Sequence, residues 1–193
     1  MILSRDYLGY LCQKLVEQLA KGPIKLGSPE LVLQRVKEAV TNEMTAEDRV
    51  NDEVRALLEK HAAQMRETGA NYQEAFKLFK RQLLKEKGVV PASGRDSGDT
   101  SKVSRDKVVR LSHIVVDILA GMKKEVELRQ PKNDVRLEIF RIFTELFRAE
   151  EKVEERVRLK ITSQKRQIVE GSQEWDILYR KYYTDELKKL GLP

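Results

Sequence analysis

The feature that most constrains this chain is its likeness to itself. An offset of 100 sets residues 3–20 against 103–120, and Ser4, Arg5, Asp6, Leu11, Val16, Leu19 and Ala20 recur as Ser104, Arg105, Asp106, Leu111, Val116, Leu119 and Ala120. An offset of 103 sets residues 36–88 against 139–191, and 11 positions recur, among them Glu47 as Glu150, Arg55 as Arg158 and Gly88 as Gly191. Such self-similarity makes each repeat one supersecondary unit. Between the halves, the stretch from Val90 to Lys102 reads V-P-A-S-G-R-D-S-G-D-T-S-K, with no apolar periodicity. A segment so poor in apolar groups cannot offset its ordering entropy, and it reads as an exposed linker. The division is therefore a first module over 1–89, a linker over 90–103 and a second module over 104–193.

Each module reads as helical. Ser4 and Ser104 are N-cap candidates, with Asp6 and Asp106 in the first turn, where the helix dipole favours a carboxylate. Leu8, Leu11, Leu15 and Leu19 repeat at the spacing of a buried helical stripe. Gly22-Pro23 stops that helix, and Ser28-Pro29-Glu30 starts the next. Thr45 and Asp48 resemble a capping box, which predicts a break there. Their counterparts Arg148 and Glu151 offer no cap, so the second module admits one helix from about Asp134 to Ile168. Closing helices start near Gly69 and Gly171 and end at Gly88 and Gly191. The predicted fold is all-α: two related modules of three or four helices joined by a flexible linker, with room for long antiparallel helices.

The second module carries a resemblance. Its run G-S-Q-E-W-D-I-L-Y-R-K-Y-Y (171–183) and its opening V-S-R-D-K-V-V-R-L-S-H-I-V-V-D-I-L (103–119) are similar to the bacterial family called domain of unknown function 507. Gly171, Ser172, Glu174 and Trp175 form the signature turn. The first module has Thr68-Gly69-Ala70-Asn71-Tyr72 there, keeping an aromatic without the Trp or the Glu, and looks like a diverged copy. The resemblance implies a helical module and no chemistry.

Chemistry-bearing patterns are scarce. His61 and His113 occupy unmatched repeat positions, and a lone Cys12 can form neither an intramolecular disulfide nor a zinc cage. Cys12 reads as a structural thiol in a reducing compartment, and cytoplasmic residence is the expectation. No phosphate-cradling loop, His-Glu-x-x-His motif or nucleophile elbow occurs. Glu150, Glu151, Glu154 and Glu155, mixed with Lys152, Arg156 and Arg158, read as a solvated face of helical ion pairs. These readings predict no catalytic residue, metal or cofactor, and no enzyme. The absence of an apolar run long enough for a membrane excludes a predicted transmembrane segment.

Two surface patterns remain. Trp175, Tyr179, Tyr182 and Tyr183 match Tyr72, Phe76, Phe79 and Lys80. A stripe that trades Tyr for Phe reads as core, with Tyr183 the ring expected nearest solvent. On the opposite face, Lys77, Arg81 and Lys85 fall at i, i+4 and i+8, and the matching positions hold Arg180, Thr184 and Lys188. With 37 Lys and Arg against 31 Asp and Glu, a net charge of +6 is mild, so this repeated ridge is its most ordered part. The leading expectation is a non-enzymatic helical adaptor for an unidentified protein partner, with a homodimer as one arrangement. The alternative is weak, sequence-tolerant RNA or DNA binding through Lys77, Arg81, Lys85, Arg180 and Lys188, which can neutralise phosphates without reading bases.

Overall fold

The computed structural model describes residues 3–92, 102–164, 166 and 168–190. The first half runs α1 (Arg5–Ala20), β1 (Ile24–Leu26), α2 (Pro29–Met44), α3 (Ala46–Lys60), α4 (Ala62–Thr68) and α5 (Tyr72–Glu86). The second runs α6 (Arg105–Gly121), β2 (Val126–Leu128), α7 (Lys132–Thr162) and α8 (Gln173–Lys189). The fold is all-α apart from one two-stranded ribbon.

Local chemistry sets the helix ends. Ser4 Oγ accepts from Tyr7 N–H at 3.2 Å and Ser104 Oγ from Lys107 N–H at 3.2 Å, each satisfying one donor that a helix start leaves free. Pro29 stands at the first position of α2, where its missing N–H costs nothing. Gly88, with φ of 59°, closes α5 in the left-handed region, and Val89 N–H reaches back to the Leu84 carbonyl at 2.9 Å. The matching Gly191 lies outside the described residues, as does most of the linker.

The helix breaks at Thr45, but by another device than a capping box. Thr45 makes no side-chain cap; its Oγ1 donates to the Thr41 carbonyl at 2.8 Å, and Arg49 bonds Thr45 Oγ1 and the Asn42 carbonyl, each at 2.9 Å. Back-bonding of this kind competes with the helical ladder and bends it. The second half carries Arg148 there and continues as the 31-residue α7, roughly 46 Å long at 1.5 Å per residue. That helix ends at Thr162, six positions short of the Ile168 expected from periodicity.

One hydrophobic core draws on both halves. α1 packs on α2 and α6 on α7, and each hairpin crosses the other through α2 against α6 and α1 against α7. Leu11, Leu15, Val36 and Val40 meet Leu111, Val115, Ile139 and Phe143 in the same buried cluster. The strands β1 and β2 pair antiparallel, with Lys25 opposite Glu127, Ile24 opposite Leu128 and Leu26 opposite Val126. Gly27 N–H donates to the Glu125 carbonyl at 2.7 Å, and Arg129 N–H to the Pro23 carbonyl at 2.9 Å. Those two bonds exchange under an offset of 102 (129 − 27 and 125 − 23), between the two offsets above, so the ribbon has a local twofold relation of the kind found in isologous interfaces. Sequence reading missed both strands, because three residues are too few to show a period of two.

Corresponding positions also make corresponding long-range bonds. Tyr7 Oη donates to the Leu146 carbonyl at 2.6 Å, while Lys107 Nζ donates to the Glu43 carbonyl at 2.8 Å. Lys107 is fully buried, and its ammonium also donates to Glu43 Oε1 at 2.6 Å and the Val90 carbonyl at 2.9 Å. Burial pulls its pKa below the usual lysine value, against the Glu43 carboxylate that favours the charge.

The connection between halves returns to where it left. Ala92 accepts from Ser104 N–H at 2.6 Å, and Ser104 Oγ donates to the Pro91 carbonyl at 3.1 Å. The chain between is thus a closed excursion whose ends touch.

Removing Lys107 leaves Glu43 with only the exposed Arg110, at 3.0 Å, and strands the Glu43 and Val90 carbonyls that its ammonium meets. Lys107→Ala should therefore lower stability by about 3–5 kcal/mol in urea unfolding. Replacing both partners, Lys107→Met with Glu43→Leu, should recover most of that loss; equal losses in the single and double variants would contradict the account.

Candidate functional site

The fold carries two arms beyond the shared core. The first consists of α3, α4 and α5, held by its own cluster of Val50, Val54 and Leu58 with Met65, Phe76, Leu83 and Leu84 around it. The second is the carboxyl-terminal part of α7 with α8, and Val153, Val157, Ile161 and Trp175 belong to the main core.

Each arm is pinned by one glutamate. Glu47 accepts from Lys80 Nζ at 2.6 Å and from Ala92 N–H at 2.9 Å. Its counterpart Glu150, 1% exposed, accepts from Tyr183 Oη at 2.7 Å and Lys102 Nζ at 2.8 Å. Lys102 Nζ also reaches Glu154 at 2.7 Å, and its N–H donates to Glu151 at the same distance. Glu150, Glu151 and Glu154 thus grip the returning end of the linker, while Glu155 stays exposed and Glu154 also makes the expected helical ion pair with Arg158. Tyr183, expected nearest solvent, is half-buried for the same reason, and burial beside Glu150 pushes its phenol up. Burial alone would raise the carboxyls of Glu47 and Glu154, yet hydrogen bonds from Lys80 and Lys102 hold both below the usual carboxylate range.

The signature turn has a structural task. Gly171, with φ of 82°, reverses the chain; Ser172 Oγ then caps α8 by accepting from Trp175 N–H at 3.2 Å. Glu174 pairs with Arg166 at 3.5 Å, and Trp175 is buried, 6% exposed. Arg158, next to this turn, pairs with Glu154 and Glu170.

The first arm departs from that pattern. Tyr72, at the position of Trp175, is 51% exposed, and Phe79, at the position of Tyr182, is 41% exposed. Only Phe76 of that stripe packs against the arm's cluster, so the core reading fails for the other two rings. α3 and α7 end at nearly matching places, Lys60 and Thr162, but the first arm then adds the short α4 (Ala62–Thr68) before its closing helix. A cleft of about 620 Å³ opens there between α3, α4 and the start of α5. Leu58, Met65 and Tyr72 line it, with Arg55, Glu59 and Arg66 at its rim. Arg55 pairs with exposed Asp52 at 2.7 Å and lies 6.0 Å from the Phe76 ring centre; Arg66 makes no ion pair among the described residues.

Lys77, Arg81 and Lys85 stand together as one exposed ridge on α5, and Arg180 and Lys188 stand exposed on α8. Among the described residues none of the five has an ion-pair partner. The two helices do not pack on each other: α5 rests on α3 and α8 on α7. At the position between Arg180 and Lys188, Thr184 turns its hydroxyl back to the Arg180 carbonyl at 2.9 Å.

The remaining polar candidates sit apart. His61 is exposed at the break between α3 and α4, and His113 is exposed on α6. Cys12 is buried, which pushes its thiol up to about 12, far from a reactive thiolate. Among the described residues, no group of His, Cys, Asp and Glu is placed to hold a metal, and no helix is long and apolar enough to cross a membrane.

Fold and surfaces together define a helical protein with a two-half core and two unlike arms. The chain belongs to the family described as protein of unknown function (DUF507), whose profile matches residues 1–192. The match takes in the first half, although that half lacks the Gly-Ser-x-Glu-Trp run. No curated protein matches the chain.

Glu47 and Glu154 have depressed folded-state pKa values, so their contribution is present above the unfolded carboxylate range and is lost as pH falls through the folded values. Thermal midpoints should therefore drop below about pH 4.5, a fall that begins at the unfolded carboxylate range. Glu154→Gln should flatten that dependence when scanned by circular dichroism; an unchanged slope would remove Glu154 from the account.

Proposed function

We propose that this chain is a non-enzymatic helical adaptor that takes a protein partner on its first arm. The observation that carries the reading is the exposure of Tyr72 and Phe79 beside an open apolar cleft, at positions where the second arm buries or half-buries its aromatics. Aromatic rings are enriched at interfaces because they offer large apolar area at low entropic cost. The correspondences between the halves favour descent from one duplicated module, with the first copy's arm diverged to face outward. The lone buried Cys12 fits a reducing compartment such as the cytoplasm.

Exposed rings contribute little to folding, so Tyr72→Ser with Phe79→Ser should leave the thermal midpoint within a few degrees. The same double variant, used as bait in nuclease-treated lysate, should lose the partner that the unaltered chain retains. Retention of that partner at full yield would sink the adaptor reading.

A second reading rests on the basic positions of α5 and α8, whose five cations are exposed and have no ion-pair partner among the described residues. Cations left unpaired can neutralise the phosphates of RNA or DNA. If they do, binding to a single-stranded oligonucleotide should weaken steeply from 50 to 200 mM salt. Arg81→Glu with Lys188→Glu should weaken it further and lower the log–log salt slope by about 2. Salt-insensitive binding, or none at low salt, would dismiss the ridge.

A further inference from the structure

The second arm supplies a pattern for what the first arm's cleft receives. Under the offset of 103, Leu58 corresponds to Ile161, Tyr72 to Trp175 and Arg55 to Arg158. In the second arm Ile161 and Trp175 are both buried. Trp175 is flanked in sequence by Glu174 and Asp176; Arg166 pairs with Glu174, and elsewhere in the same arm Arg158 pairs with Glu154 and Glu170. One arm is therefore closed by its own indole, next to an acid group, Glu174, that an arginine pairs.

The first arm keeps the receiving side and lacks the inserting one. Its floor is Leu58 and Met65, and its rim has Arg55 and Arg66 against the single carboxylate of Glu59. Asn71 and Tyr72 stand where Glu174 and Trp175 do, and Tyr72 is turned half out to solvent. Glu67, the counterpart of Glu170, makes no ion pair with Arg55 among the described residues. A volume of about 620 Å³ accommodates an indole with its neighbouring side chains. Arg55 shares exposed Asp52, so Arg66, without an ion pair among the described residues, is the rim cation left to select an acid group beside the ring.

From this we infer that the first-arm cleft binds a helical segment of a protein partner that presents a tryptophan flanked by acidic residues. The inference rests on the adaptor reading and names the partner's chemistry. The indole takes the place beside Leu58 and Met65 that Tyr72 leaves open, while the acid groups meet Arg55 and Arg66. Binding is anchored by one buried ring, with the charged rim setting specificity.

The probe for the test is a fluorescein-labelled peptide of residues 171–182, acetylated and amidated, titrated by anisotropy against the full chain. Saturable binding is expected. A probe carrying Trp175→Ala should bind at least about tenfold more weakly, as truncation of a central aromatic anchor does. A probe with Glu174→Gln and Asp176→Asn should bind several-fold more weakly. In the chain, Arg55→Glu with Arg66→Glu should give a loss of at least about tenfold for the unaltered probe.

Nuclear magnetic resonance on the unaltered chain removes any dependence on how those variants fold. Probe-induced shifts should centre on Leu58, Met65 and Tyr72. Shifts confined to Ile161 and Trp175, equal binding of the Trp-free probe, or no saturation up to a millimolar would each overturn the inference. If the probe fails while Tyr72→Ser with Phe79→Ser still abolishes partner capture, only the partner's chemistry is wrong. If that capture is indifferent to both rings, the adaptor reading itself falls.

Discussion

A lysine ammonium sealed from water is the point on which the two halves converge. Lys107 belongs to the first turn of α6, yet its three acceptors are Glu43 Oε1, the Glu43 carbonyl at the end of α2, and the Val90 carbonyl where the first half ends. A buried charge is tolerated only when it is paired and its donors are used, and here all three are. The geometry therefore leaves little freedom in how α6 meets α2. The same location in the other half is served by a neutral phenol, Tyr7 on the Leu146 carbonyl. Two corresponding backbone acceptors, one in each half, are thus met by two different chemistries.

From that convergence the asymmetry of the arms follows. Both hairpins need the same core, so the long helices run alike until Thr45 and Arg148. Beyond, a threonine that bonds back along its own helix bends one chain away, and an arginine lets the other run straight. The straight helix delivers Val157 and Ile161 to the shared core, together with Trp175 from α8. The bent one takes Val54 and Leu58 into a cluster of its own, too small to cover Tyr72 and Phe79. Unlike surfaces on a symmetric frame can serve different roles, since whatever the second arm buries the first is free to offer.

Much of this architecture is legible in the amino-acid order. The serine caps, the proline start of α2, the Thr45 break and the unbroken α7 all arise from local rules acting on a few residues. The family resemblance was carried by one turn and one helix, while the family's profile runs through both halves. Other features depend on distance in space. Lys107 lies in line with Val108, Leu111 and Val115, an odd lysine on an apolar stripe, but nothing local names Glu43 as its partner. The glutamates of α7 read as solvated because their neighbours in sequence are charged, while their partners Lys102 and Tyr183 come from elsewhere. The aromatic stripe of α5 read as core because periodicity reports which face is apolar and not whether anything covers it. His61 gave no helix-ending signal at all, and the cleft depends on it.

The contact between Ala92 and Ser104 changes what the connecting segment means. A tether that bridges two separated bodies sets their spacing and limits their motion. A tether whose ends already meet does neither, and its closure entropy grows only slowly with its length. The two halves are thus held by their packing, and the covalent link mainly raises the local concentration of one for the other. Severing it would leave a non-covalent pair of fragments, and new termini could be opened there without disturbing the frame.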